Sequence, residues 1–327
     1  MVIKDLLVTS REFDKSKRDY LLDTKEFDFG VMNCNFQYVQ TQLSLAGVPR
    51  PYVTSVSMTD WALRQVCLKL EGHPPSDYMK RCPSMLRAYN LNDWRIRTDR
   101  RMLVRIDGEK ARAFLSEKYS AIGNTTVLEL ADEMLVDVPY ELYDSVITPD
   151  VTHVRILIAD HPGGNYRIGC YISNGEIGNM MIRVLPLVQR TTCKNSVIFA
   201  DGGFIQRHLA VSYPFLRGAI KEHIGQALNM SVTYVGMMVE AELKHIPDIK
   251  DVINRICYEN GFSQNVHDDI MRGTEGQSTV MAVANGLSFA AHGVENPDES
   301  AHLELMAGLF LTNREHVLEG VGASIEE

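Results

Sequence analysis

Two short apolar-rich runs, residues 102–106 and 111–116, flank the turn pair Asp107-Gly108, and this pattern commits the middle of the chain to a β-hairpin. The spacing gives a turn of about four residues, looser than the tight two-residue connection. In the first run Met102, Val104 and Ile106 share one face, with Leu103 and Arg105 on the other. In the second, Ala111, Ala113 and Leu115 oppose Arg112, Phe114 and Ser116. Side chains alternate across a strand, so Arg105 and Arg112 lie on faces of one ribbon, and register decides whether those faces coincide. More cations surround the ribbon: Arg95, Arg97, Arg100, Arg101 and Lys118.

The net charge of −9 argues against a polyanion ligand until its distribution is read. Residues 78–118 hold eleven Lys/Arg against five Asp/Glu, and residues 151–225 hold eight against four. Residues 119–150 hold seven acidic residues and no basic ones, and from 226 onward five basic residues face sixteen acidic ones. Two basic blocks with an acidic C-terminal third is the asymmetry of an anion-binding surface beside a counter-charged segment, although mixed solvated faces give the same totals. The rings Tyr89, Trp94, Phe114 and Tyr119 lie in or beside the first block. Cations that track phosphates and rings that take bases are what a single-stranded nucleic acid requires, with Tyr89 and Trp94 as the stacking candidates. Trp94 or Phe114 taken alone is better read as a core residue.

No run of eighteen apolar residues exists, so no membrane span is expected, and the first residues lack the pattern of a signal peptide. The six cysteines are scattered without a Cys-x-x-Cys pair, which points to reduced thiols in a cytoplasmic protein rather than zinc or disulfides.

The order of elements reads as α+β: a central antiparallel sheet containing the basic hairpin, helices on either side, and a helical C-terminal third. Residues 1–56 read as a peripheral arm with short strands, 57–225 as the α+β core, and 226–327 as an acidic helical region. A helix opens at Thr59, and a second runs over 77–89 with Pro83 near a break. Another follows Asn124. Strands are expected at 154–158, 166–172 and 181–188, pairing with the hairpin in one sheet, with turns at Pro162-Gly163-Gly164 and Asn174-Gly175. Helices are expected at 220–243, 249–259, 263–271, 279–291 and 300–319.

No Walker loop, nucleophile elbow or His-Glu-x-x-His helix is present, so no cofactor is expected. His267-Asp268-Asp269 falls in a helix, where adjacent side chains diverge, and suits a solvated face better than a metal. The segment Arg190-Thr191-Thr192-Cys193-Lys194-Asn195, with Arg207-His208, is the other dense constellation. Cys193 and His208 suggest a nucleophile without a third orienting group. The preferred roles are structural: Asn195 and His208 cap the strand-to-helix crossing and Cys193 packs in the core. Arg183, Arg190, Lys194 and Arg207 are candidates for phosphate contact.

Several segments taken together resemble a family. They are Leu63-Arg64-Gln65-Val66-Cys67 with Pro74 and Tyr78, Val104-Arg105, Arg112-Ala113-Phe114-Leu115-Ser116-x-x-Tyr119, Ser173-Asn174 with Gly178, Arg190-x-x-Cys193-x-Asn195, and Arg207-His208. In order, over roughly residues 55–320, they resemble the phage/plasmid-like protein family of unknown function encoded on prophages and conjugative plasmids. More distantly the arrangement resembles phage single-strand annealing proteins. The family itself implies a mobile-element protein of the bacterial host's cytoplasm rather than a known activity, and the more distant resemblance implies binding and annealing of single-stranded DNA in recombination or replication, without catalysis. It also implies a homo-oligomer, ring or filament. The alternative is a mobile-element accessory protein that binds a host replication or defence protein through its acidic helices.

Overall fold

The computed structural model describes residues 2–30, 34–37, 53–161, 164–192 and 195–319. The chain begins with α1 (Ile3–Asp14) and β1 (Lys17–Asp23), then β2 (Phe27–Phe29), β3 (Cys34–Gln37) and β4 (Val53–Met58). Three helices follow: α2 (Asp60–Lys69), α3 (Ser76–Arg81) and α4 (Ser84–Arg97). Thr59 caps α2, its hydroxyl accepting from the Ala62 amide at 3.1 Å. Pro83 divides the single helix expected over 77–89 into α3 and α4, and α4 continues through Arg95 and Arg97.

The hairpin is β5 (Arg101–Asp107) and β6 (Lys110–Ser116). Asp107 pairs with Lys110, so the connection is the two residues Gly108-Glu109 rather than four. Gly108 takes a φ of +55°, which a residue without Cβ adopts at little cost. Next come α5 (Asn124–Met134), β7 (Glu141–Ile147), β8 (Val151–Asp160), β9 (Tyr166–Gly175), β10 (Ile182–Arg190), β11 (Ser196–Ile198) and β12 (Phe204–Gln206). The remainder is helical: α6 (Tyr213–Leu243), α7 (Ile249–Asn260), α8 (Gln264–Gly273), α9 (Val280–Gly293) and α10 (Pro297–Glu319).

The fold is α+β, with its strands in two sheets. The hairpin belongs to a sheet of order β1-β5-β6-β4-β3-β2, in which β4 runs parallel to β6. The second sheet has the order β11-β10-β9-β8-β7, with β12 also on β10. The expected single sheet does not form, because both edges of the hairpin are taken: β1 pairs along β5, and β4 pairs with β6. The first sheet packs Phe27, Met102, Val104 and Phe114 against Leu63 and Val66 of α2 and Leu91 of α4.

Helices cover both faces of the second sheet, so β8 and β10 carry long buried runs instead of alternation. On one face Ile156, Cys170 and Val184 meet Leu128 of α5 and Ile220 of α6. The N-terminal segment joins that core: Ile3, Leu6, Leu7 and Ser10 recur at helical spacing and are all buried. It is a packed helix rather than a peripheral arm.

On the other face α10 crosses the sheet. Gly308 lets it lie on β11, since a methyl group there would overlap the Ile198 carbonyl oxygen. Buried polar contacts fasten the same helix. Arg155 of β8 donates from Nε to Glu304 Oε2 at 2.8 Å, and His153 joins Tyr171 at 2.7 Å and Asp298 at 2.9 Å. Among the described residues, no helix is long and apolar enough to cross a membrane.

Candidate functional site

Glu176 follows the last residue of β9 and is fully buried where the second sheet docks on the first. The turn that carries it is gripped by α2: Trp61 Nε1 and Gln65 Nε2 both donate to the Ile177 carbonyl, at 2.9 and 2.7 Å. The Glu176 carboxylate receives Lys17 Nζ at 2.8 Å, Arg112 Nη2 at 3.1 Å and the Asn124 amide at 2.8 Å. Arg105 donates to the Glu176 carbonyl at 2.6 Å and to Asp19 at 2.9 Å, because β1–β5 register sets Asp19 opposite Arg105. Arg112 also binds Asp150 at 2.8 Å, and Lys17 binds Asp14 at 2.8 Å. Burial works against the Asp14 charge, yet hydrogen bonds from Lys17 and Thr125 hold its carboxyl below the usual range. Buried charges persist when paired and hydrogen-bonded, and here three cations meet four carboxylates.

Arg105 and Arg112, expected to hold phosphates, are therefore interior struts. Register settles the reason: a shift between Arg105 and Ile106 leaves Arg112 unpaired and breaks the alternation of β6, so both arginines reach Glu176 while Phe114 packs against the helices. Other candidates are engaged at the surface. Arg95 is half-buried and donates to the Thr24 carbonyl at 2.7 Å, Arg97 pairs with Asp93 at 2.6 Å, and Arg190 pairs with Glu242 at 2.7 Å. Arg183 is half-buried on β10. Trp94 is half-buried against the first sheet's core, whereas Tyr89 stands out from α4 at 71% exposure. Lys194 and Cys193 lie outside the described residues.

Of the candidate phosphate contacts, four are exposed and have no ion-pair partner among the described residues: Arg100, Arg101, Lys118 and Arg207. The first three share one place. The last hairpin pair is Met102 with Ser116, so Arg100 and Arg101 enter the hairpin's open end as Lys118 leaves it. Burial and the neighbouring Arg100 charge together depress the Lys69 ammonium at the end of α2, so positive charges crowd this rim. Glu117 lies in the same turn. Arg207 stands three residues before Ala210, whose amide donates to the Lys118 carbonyl at 3.2 Å.

His208 and Asn195 do not cap one crossing. Asn195 adjoins Arg190 at one end of β10, donating to the Asn285 carbonyl at 3.4 Å, while β12, just before His208, pairs with the opposite end at Ile182. Roughly 25 Å of strand separates those ends. His208 is buried, stacked on Tyr119 at 5.0 Å with planes 3° apart, and contacts the Ser120 carbonyl at 3.4 Å. Burial, with the Arg105 charge adding to it, pushes its pKa down to about 4.

An unfolded chain binds that proton below about pH 6.5, so the folded state loses up to about 3 kcal/mol as pH falls from 6.5 to 4. Urea unfolding of the wild type and His208→Asn at pH 7, 5 and 4 is expected to show the wild type losing its excess stability across that window. Parallel profiles would refute the buried neutral imidazole.

Beyond β10, Arg190, Thr192 and Asn195 face Thr274, Gln277, Asn285 and His292 across a polar cleft of about 660 Å³. Its Arg190 is paired with Glu242, and Glu275 adds a second carboxylate to the lining. No group of three His, Cys, Asp or Glu among the described residues is placed to hold a metal. The described free cysteines, Cys67, Cys82, Cys170 and Cys257, are buried, and burial pushes the Cys170 thiol up to about 12.

Neither known protein families, nor curated proteins, nor solved structures yielded a match to this chain.

Proposed function

We propose that this chain is a non-catalytic binding protein for single-stranded nucleic acid, of the annealing type, and that it takes the phosphate backbone along the rim of the hairpin's open end. The reading is carried by the exposed cations Arg100, Arg101 and Lys118, which have no ion-pair partner among the described residues, and by the Arg100 charge acting on Lys69. A cluster of like charges of this kind is relieved by a polyanion. Tyr89, exposed on the helix that leads into the rim, offers a ring for a base.

Fluorescence anisotropy with a labelled thymidine oligonucleotide tests it. Four phosphate contacts, counting Arg207, predict a logarithmic salt slope of about −3, or roughly fifty-fold weaker binding between about 50 and 200 mM salt. Replacing the four cations with glutamine should remove most of that slope. No affinity at low salt rejects the reading.

A second reading has one observation in its favour. Met85, Tyr89 and Ile96 form a single exposed stripe on α4, at 73, 71 and 69% exposure, which suits a protein partner such as a host replication or defence protein. Met85→Asp and Ile96→Asp together would abolish that contact and leave the salt-dependent binding in place.

A further inference from the structure

Met281, Asn285 and Phe289 follow one another at one-turn intervals on α9 and form one wall of the polar cleft beyond β10. The remaining walls connect contact by contact. Asn195, just before β11, donates to the Asn285 carbonyl at 3.4 Å and accepts from the Arg190 amide at 3.0 Å. Arg190 holds Glu242 of α6 at 2.7 Å. The Lys244 carbonyl, just past α6, accepts from the Val280 amide at 2.9 Å, which ties that helix end back to α9. Gly273 ends α8 so close to α9 that a Cβ there would lie 2.6 Å from the Phe289 Cβ, and Glu275 follows two residues later. The cleft measures about 660 Å³, which falls within the size range of small-molecule sites.

Three acceptors in this lining lack donors. Glu242 takes both Arg190 and the Tyr166 hydroxyl on Oε1, so Oε2 has no partner among the described residues. The exposed Glu275 side chain has none either. Asn285 Oδ1 is sealed from water and receives no hydrogen bond. A buried acceptor in that state is unfavourable, and Asn285 sits in a helix that is otherwise mostly apolar. No hydrogen bond among the described residues pins its carboxamide. A half-turn about its last side-chain torsion therefore brings Oδ1 to the cleft when a donor enters.

Charge and shape narrow the ligand. Two carboxylates, Glu242 and Glu275, share the described lining with the single guanidinium of Arg190, so it carries excess negative charge and repels an anion. Phe289 is 39% exposed, an aromatic face open among polar neighbours. Rings of this kind attract cations through their faces. Glu275 has a φ of +54°, where glycine or asparagine would sit at lower cost. What glutamate adds at that strained position is its carboxylate, and such strain collects at ligand sites.

We propose that this cleft binds an organic cation bearing a guanidinium group. The group lies on Phe289 and gives its N–H donors to Glu275, Glu242 and Asn285. A guanidinium is planar, carries five donors and no acceptor, and sheds water more readily than an ammonium, so it suits a site that offers a ring, two carboxylates and an amide oxygen. The cation brings the charge of the lining to balance without displacing Arg190. The cleft lies at the Arg190 end of β10, whereas the β12 segment that leads to Arg207 pairs with the other end. The proposal therefore goes beyond the nucleic-acid reading and does not depend on it.

Isothermal titration calorimetry of the full chain tests it, with agmatine and an end-blocked Gly-Arg-Gly peptide as probes. At least one of them is expected to saturate one site per chain with a Kd of about 1 mM or tighter. Tighter binding of agmatine would identify a free small molecule as the source of the group, and tighter binding of the peptide an arginine side chain. The same peptide with citrulline keeps the shape, loses the charge, and should bind at least about tenfold more weakly. Glu275→Gln should weaken the arginine probe by a similar factor and leave the melting temperature unchanged, because that side chain is exposed. Phe289→Leu should also weaken it, since leucine keeps the apolar contact and removes the ring. No saturation by either probe up to about 10 mM overturns the proposal. So does a citrulline peptide that binds as well as the arginine one, or a Glu275→Gln variant with wild-type affinity. A lysine peptide that matches the arginine peptide overturns the guanidinium assignment.

Discussion

Glu176→Gln is expected to lower the unfolding free energy by about 3–5 kcal/mol, the range for removing one partner of a buried ion pair. The glutamine amide keeps the shape of the side chain and one acceptor. It cannot balance Lys17, Arg105 and Arg112, which stay inside the junction with Asp14, Asp19 and Asp150 at its margins. Asp150→Asn is the control. Its side chain is 42% exposed, so water replaces what Arg112 loses, and the cost should stay within about 1 kcal/mol. Urea titration followed by circular dichroism measures both. A cost for Glu176→Gln no larger than the control would mean that the junction does not depend on its central carboxylate.

This has a consequence for the nucleic-acid experiment. Arg105 and Arg112 look like the natural substitutions to make in the hairpin, but removing either strips a partner from Glu176 and unsettles the contact between the sheets. Loss of binding in those variants would report unfolding. Arg100, Arg101, Lys118 and Arg207 are exposed and have no ion-pair partner among the described residues, so their replacement leaves the core alone.

Local pattern carried the hairpin, the α2 cap and the C-terminal helices, because period and turn chemistry act over a few residues. α1 was equally legible: Ile3, Leu6, Leu7 and Ser10 have the spacing of a buried helical stripe, yet the charge over residues 11–19 made the segment look peripheral. The partition into two sheets was not legible. Strands that all read as antiparallel do not announce which edges they share, and β1, the strand that closes the hairpin's edge, is a charged run with a weak alternation. The fate of the arginines was hidden for a similar reason. Alternation places Arg105 and Arg112 on faces, but the carboxylate that claims them lies more than sixty residues further along in the turn after Asn174-Gly175. Charge counts over sequence windows sum these buried pairs together with free cations, and so they overstate the basic surface.

The same correction applies to the acidic third, and it yields the other large effect. Glu304 belongs by count to a solvated acidic region, yet it is 1% exposed, bound by Arg155, and accepts from the Ser196 hydroxyl. Arg155 further donates to the Asp144 carbonyl at 2.8 Å and lies 5.7 Å from the Tyr171 ring centre. Glu304→Gln alone is expected to cost about 3–5 kcal/mol, because the guanidinium stays buried without its counter-charge. Arg155→Met with Glu304→Leu removes both charges, keeps the volume, and should come within about 1 kcal/mol of the wild type or exceed it. Arg155→Met alone and Glu304→Leu alone complete the cycle, and its coupling energy isolates the pair. A double variant as unstable as Glu304→Gln would show that the pair itself supplies energy that holds α10, beyond the Asp298–His153–Tyr171 chain and Gly308 on β11. A rescued double variant would show that the pair sets the position of α10 on the sheet while supplying little of the energy that keeps it there.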